Sequence, residues 1–176
     1  MAFGRQIEKL EIPKKVNMKI KLILLLFIFS APVFSQLIQN GEEVIFSFKL
    51  KSGKSAVLLK GENESYLVYR FGTNKNIELE YPTELSAESW QKFTYSYYFR
   101  GGGKENAGLD LNYVSFENNG YSYKLYDEYS AEDDSRHTGV LVTDTEGKER
   151  DITGAKGSAV GSLVPLRYSE KIKNGQ

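Results

Sequence analysis

The sequence predicts an all-β fold, a single antiparallel β-sandwich or β-barrel of about eight or nine strands over residues 36–176. Short segments in which apolar and polar side chains alternate recur along the chain, and a period of two marks a half-buried strand. Clusters of Gly, Asn, Asp and Pro separate these segments at regular spacing, as turns do. The stretch 92–129, KFTYSYYFRGGGKENAGLDLNYVSFENNGYSYKLYDEY, holds eight of the twelve tyrosines and reads as three strands joined by two turns.

Residues 1–35 stand outside that pattern. From Met18 the chain runs MKIKLILLLFIFSAPVFSQ. Lys19 and Lys21 open it, an apolar run follows over 22–29, and Val33 and Ser35 sit where a signal peptidase needs small residues before Gln36. The apolar run is shorter than the about 20 residues of a membrane span, so membrane contact is expected only through an uncleaved signal peptide. The polar segment before Met18, RQIEKLEIPKK, is longer than an ordinary basic leader. Met18 is the expected start, an extended leader being the alternative, and residues 1–35 are set aside from the fold either way.

Removing the leader changes the charge. Its six basic and two acidic residues, taken from totals of 23 and 23, leave 17 and 21, a net charge of −4. A mildly acidic domain lacks the clustered cations that bind a phosphate backbone, which argues against nucleic acid. The chain has no cysteine, so disulfides, thiolate metal sites and a cysteine nucleophile are excluded. A domain of about 140 residues buries enough core to stand without them.

In residues 43–50 Val44, Phe46, Phe48 and Leu50 alternate with polar positions, and a turn at 51–54 leads into a second strand over 55–60. Residues 65–71 form a third strand. A turn at 72–76 precedes a fourth over 77–81, stopped by Pro82, which cannot donate to a ladder. Residues 83–90 read as a loop or single helical turn, with Trp90 plugging one end of the core. A fifth strand over 93–100 places Phe93, Tyr95, Tyr97 and Phe99 on a core face. A glycine-rich loop reaches Gly108, and a sixth strand covers 109–117. Asn119-Gly120 is a hairpin signal, because both residue types tolerate the positive φ of a tight turn. A seventh strand covers 121–129. Residues 131–137 read as an acidic loop, 139–143 and 148–152 as strands eight and nine, and 163–173 as a short C-terminal helix or a last edge strand.

The candidate binding residues lie at strand ends. Arg100 followed by Gly101, Gly102 and Gly103 offers backbone amides and a guanidinium to an anion. A phosphate loop would need a helix where the sixth strand follows. Arg70 beside Gly72 is a second position of this kind. Tyr98, Tyr126 and Tyr129 are read on the phase opposite the core tyrosines, as an exposed aromatic patch suited to protein or glycan contact. No catalytic, metal or cofactor residue is assigned. His137, the one histidine, has Asp133, Asp134 and Ser135 as sequence neighbours, without the elbow of a serine hydrolase. The carboxylates Glu78, Glu80, Glu117 and Asp127 are the alternative for acid–base chemistry.

Tyr69-Arg70-Phe71-Gly72, then Arg100-Gly101-Gly102-Gly103, then Phe116-Glu117-Asn118-Asn119-Gly120-Tyr121-Ser122-Tyr123 resembles a family of small exported bacterial β-rich proteins whose function is uncharacterised. The resemblance covers most of residues 60–145. It implies export and a β-rich domain, and supplies no activity, cofactor or catalytic residue. The expectation is a non-enzymatic binding protein of the periplasm or cell exterior, whose partner is a protein, met in an inhibitor-like way, or an envelope glycan. An envelope hydrolase using carboxylates and a self-associating structural protein are the alternatives.

Overall fold

A computed structural model describes residues 37–175, so the leader read over residues 1–35 lies outside the described residues. In chain order the first strands are β1 (Glu43–Lys49), β2 (Ser55–Lys60), β3 (Leu67–Thr73), β4 (Asn76–Tyr81) and β5 (Thr94–Arg100). There follow β6 (Leu109–Asn118), β7 (Tyr121–Ser130), β8 (Ser135–Thr143), β9 (Glu149–Thr153), β10 (Val160–Gly161) and β11 (Lys173–Asn174). They form two sheets, ordered β10-β1-β2-β3-β4 and β11-β5-β6-β7-β8-β9. The fold is a sandwich. Every pairing is antiparallel except that of β11 with β5.

The nine longer strands are those expected, two of them with boundaries moved by two residues or more. β3 runs over 67–73 and not 65–71, because Gly72 and Thr73, read as turn, pair with Ile77 and Asn76. Ser135, Arg136 and His137, read as loop, belong to β8, because the β7–β8 ladder runs on through Glu128↔His137, Tyr129↔Arg136 and Ser130↔Ser135. The tail holds two short strands and a 3-10 turn, Val164–Tyr168, in place of one helix or one strand. Asn119 and Gly120 close the β6–β7 hairpin with φ of 50° and 79°, the double left-handed turn that matches strand twist.

The core lies between the sheets. Phe116 stacks on Tyr81 at 4.5 Å and on Tyr123 at 4.8 Å, with Phe93 edge-on at 5.4 Å. Trp90 is buried in the same cluster and donates its indole N–H to the Glu64 carbonyl at 3.1 Å. The first sheet is covered on its outer face too. There Leu37, Val57, Leu59 and Val68 are buried, with Tyr66, Ile77 and Leu85 packed against them. Burial on both faces is why β2 reads SAVLLK, without a polar phase.

Candidate functional site

Strand β5 runs out of the core. Phe93 and Tyr95 are buried, whereas Tyr97 and Phe99, in the same phase, are 52 % and 58 % exposed. The expectation that all four pack inside fails at the last two. What faces them is the 3-10 turn: the Arg167 guanidinium lies over the Tyr97 ring at 4.3 Å and the Phe99 ring at 5.5 Å. Arg167 Nη2 donates to Asp110 at 2.5 Å and to Asn112 at 3.0 Å, and Asn112 accepts the Tyr95 hydroxyl at 2.6 Å. Burial works against the charge of Arg167, but hydrogen bonding with Tyr95 and Asp110 outweighs it and raises its pKa. Burial likewise pushes the Tyr95 phenol up. The turn is thereby fixed as a cationic shelf behind two exposed rings, and Arg167 Nε is buried without a partner among the described residues.

The outer edge of β5 is half covered. β11 pairs with Thr94 and Tyr95, and Gly175 N–H reaches the Tyr95 carbonyl at 2.7 Å. Both backbone groups of alternate residues point to one side of a strand. With Tyr95 turned to β11, the N–H and C=O of Tyr97 and Phe99 face the same side, where no strand pairs with them among the described residues. The segment 96–100 thus offers an open edge flanked by exposed Tyr97, Tyr98 and Phe99.

The residues singled out in the sequence do not gather at one point. Arg100 donates from Nε and Nη2 to the Ala107 carbonyl, at 3.0 and 2.5 Å, so two of its donors close its own loop. Within that loop Gly101, Gly102 and Gly103 are exposed, and a side chain at Gly102 would meet Asn106. Tyr98 shares the outer phase of β5 with Arg100 and is 51 % exposed. Tyr126 lies on the same sheet face two strands away, its ring over Gly139 and its hydroxyl on Asp151 at 2.9 Å. Burial and that carboxylate push the Tyr126 phenol up to about 12.

Tyr129 is not part of that face. It pairs with Asp110 and Arg136 in the phase of Leu125 and Asp127, and its hydroxyl donates to Asp134 at 2.9 Å. Arg70 is remote from all of these and 0 % exposed. Its Nε meets Glu80 and its Nη1 meets Glu42, both at 2.5 Å, with the Leu37 carbonyl at 3.0 Å. Its guanidinium is committed inside the outer cluster, where a surface ligand does not reach. The buried partners explain what a pattern of strand-end arginines could not: one arginine welds a layer, the other closes a loop.

The histidine and the candidate carboxylates other than Glu117 are also engaged. Ser135 donates its hydroxyl to Asp133 at 2.7 Å and lies 3.2 Å from His137 Nε2. A nucleophile gives its proton to the histidine, and the acid orients the ring. Here the hydroxyl proton goes to the acid, so the order is reversed. Both oxygens of Asp127 are occupied, by Arg136 at 2.7 Å, Ser162 at 2.9 Å and the Leu163 amide at 3.0 Å, which pins the tail to β7. Glu78 is paired with Lys54 and Glu80 with Arg70, while Glu117 is exposed.

Sequence reasoning missed the exposure of Tyr97 and Phe99 and the part of Arg167, largely buried, behind them. Periodicity assigned the first two to a face without showing where the opposing layer stops. No family model matches the chain, and neither a curated protein nor a solved structure does.

Proposed function

We propose that the protein is an exported, non-enzymatic binding protein that captures another protein by taking an extended segment as an added strand along β5. The observation that carries this reading is the open edge at Tyr97 and Phe99, with exposed aromatic rings on both of its faces. Strand addition draws affinity from main-chain hydrogen bonds and specificity from alternate side chains. β11 already occupies the start of this edge as a two-residue parallel strand, so the edge is one that accepts an added strand.

The other long edges are guarded. β4 carries Glu78, Glu80 and a register shift, and Pro82 follows it; β9 carries Glu149, Arg150 and Asp151. Charges, bulges and proline are the usual means of blunting an edge. The open part of β5 has none but Arg100, which is folded back on its loop. Export rests on the leader-like residues 18–35 and fits a mildly acidic domain free of cysteine. A glycan would use the rings and leave the edge amides unfilled, so protein is the better fit.

Proline scanning tests the reading. The Tyr97 and Phe99 amides face away from β6, so Tyr97→Pro or Phe99→Pro removes an edge donor without breaking the β5–β6 ladder. A partner isolated from envelope extracts is expected to lose binding to both variants, while each keeps the native fluorescence of Trp90. Full binding by the proline variants would overturn strand addition, and loss only on Tyr97→Ala and Phe99→Ala would point to side-chain recognition instead.

A further inference from the structure

The interlayer space opens on the side away from β5. Where β3 and β4 face strands β7 to β9, a cleft of about 460 Å³ enters between the sheets. Its walls are Phe71, Leu79, Val140, Val142 and Ile152, half-buried apart from the buried Val140. Small-molecule sites are clefts of about 300–1,000 Å³, mostly apolar with a few placed polar groups. This one has that make-up.

Its mouth is unevenly charged. Glu78 and Asp144 stand there, both already engaged: Glu78 accepts from Lys54 at 2.6 Å, and Asp144 Oδ1 accepts the amides of Glu146 and Lys148, each at 2.9 Å. Lys148 and Arg150 also line the mouth. Neither side chain has an ion-pair or hydrogen-bond partner among the described residues. Arg150 lies opposite Val142 in the phase of Ile152, which itself lies opposite Val140. Beside the cleft, then, the phase of Ile152 and Val142 ends in a cation at its mouth.

We infer that this cleft binds a single-chain amphiphile with an anionic head, of which a long-chain carboxylate is the simplest. The alkyl chain lies between the apolar walls, and the carboxylate is met by Arg150 and Lys148. An apolar tail gains from burial in proportion to its area, and a guanidinium with free donors forms strong, oriented bonds to a carboxylate. The site is independent of the β5 edge, and each reading stands or falls alone.

Titration calorimetry on the purified protein with monomeric dodecanoate tests it, against dodecyltrimethylammonium, which has the same chain and the opposite charge. Dodecanoate is expected to bind and the cationic amphiphile not to. The double variant Lys148→Ala/Arg150→Ala, altered at exposed positions, is expected to bind dodecanoate about tenfold or more weakly. Each methylene removed from the ligand is expected to weaken binding about threefold to fourfold. Methyl NMR shifts should centre on Leu79, Val142 and Ile152. Absence of binding up to about 1 mM, equal affinity for the two head groups, an unchanged double variant, or shifts centred elsewhere would each overturn the proposal.

Discussion

Arg70→Met is the most informative single change to the fold. Methionine keeps an apolar stem of similar reach and adapts to irregular gaps, so packing is largely preserved and the charge alone is lost. Glu80 is 29 % exposed at its side chain and can turn to water, whereas Glu42 is 0 % exposed. The cost therefore falls on Glu42. Removing one partner of a buried pair costs about 3–5 kcal/mol. The Gln39 amide at 2.6 Å and the Tyr66 hydroxyl at 2.9 Å still serve the carboxylate. With those bonds retained, the loss near pH 7 is expected at about 3 kcal/mol.

The pH dependence separates this cause from a packing defect. In the native protein burial pushes the Glu42 carboxyl up, but hydrogen bonds from Arg70, Gln39 and Tyr66 outweigh it and hold it below its ordinary 4.5. A lowered folded-state pKa adds stability that is present above the ordinary value and is lost as pH falls through the folded one. Without Arg70, burial prevails and the carboxyl is expected above its ordinary value. The variant's folded state then takes up a proton first and gains relative stability as pH falls. Urea unfolding followed by the fluorescence of Trp90, the single tryptophan and a buried one, is expected to show a deficit that narrows between about pH 7 and about pH 4. Arg70→Met/Glu42→Leu should recover most of the loss. A deficit below about 1 kcal/mol, the range of an exposed pair, or one equal at the two pH values, would refute the reasoning.

Three further outcomes are expected. Gly139→Ala places a methyl 2.2 Å from the Tyr126 hydroxyl, so it should destabilise the native protein by about 1–2 kcal/mol, in the range of an overpacked site. In a Tyr126→Ala background the same change should be neutral or stabilising, a sign reversal that a double-mutant cycle reads directly. Gly161→Ala combines a φ of 72° with a Cβ 2.1 Å from the Ile45 carbonyl; backbone strain of about 1–3 kcal/mol should release β10 from β1, seen as faster amide exchange at Ser162. Arg100→Ala removes exposed bonds to Ala107 and should change global stability by no more than about 0.5 kcal/mol. It should speed proteolysis of the 101–108 loop and leave partner capture along β5 intact; unchanged cleavage would show that the guanidinium does not hold the loop.

The strands were legible from residues alone because their signals are local. Alternation in 43–50 and 65–71, the Asn119-Gly120 turn and Pro82 each act within a few residues, and all nine longer strands are present, with the start of β8 and the bounds of β3 moved by their ladders. Tertiary contacts decided the rest. The sandwich, and not a barrel, follows because no strand of one sheet pairs with a strand of the other among the described residues, and the two-residue strands β10 and β11, each ending one sheet, are too short to carry a period. The fates of the two strand-end arginines, alike in sequence setting, diverged through Glu42, Glu80 and Leu37 on one side and Ala107 on the other. Tyr97 and Phe99 share a phase with buried Phe93 and Tyr95, and periodicity records a side chain's face, never the extent of the layer opposite. Tyr97 and Phe99 lie beyond the buried cluster that holds Phe93 and Tyr95, against the 3-10 turn, and so stay exposed.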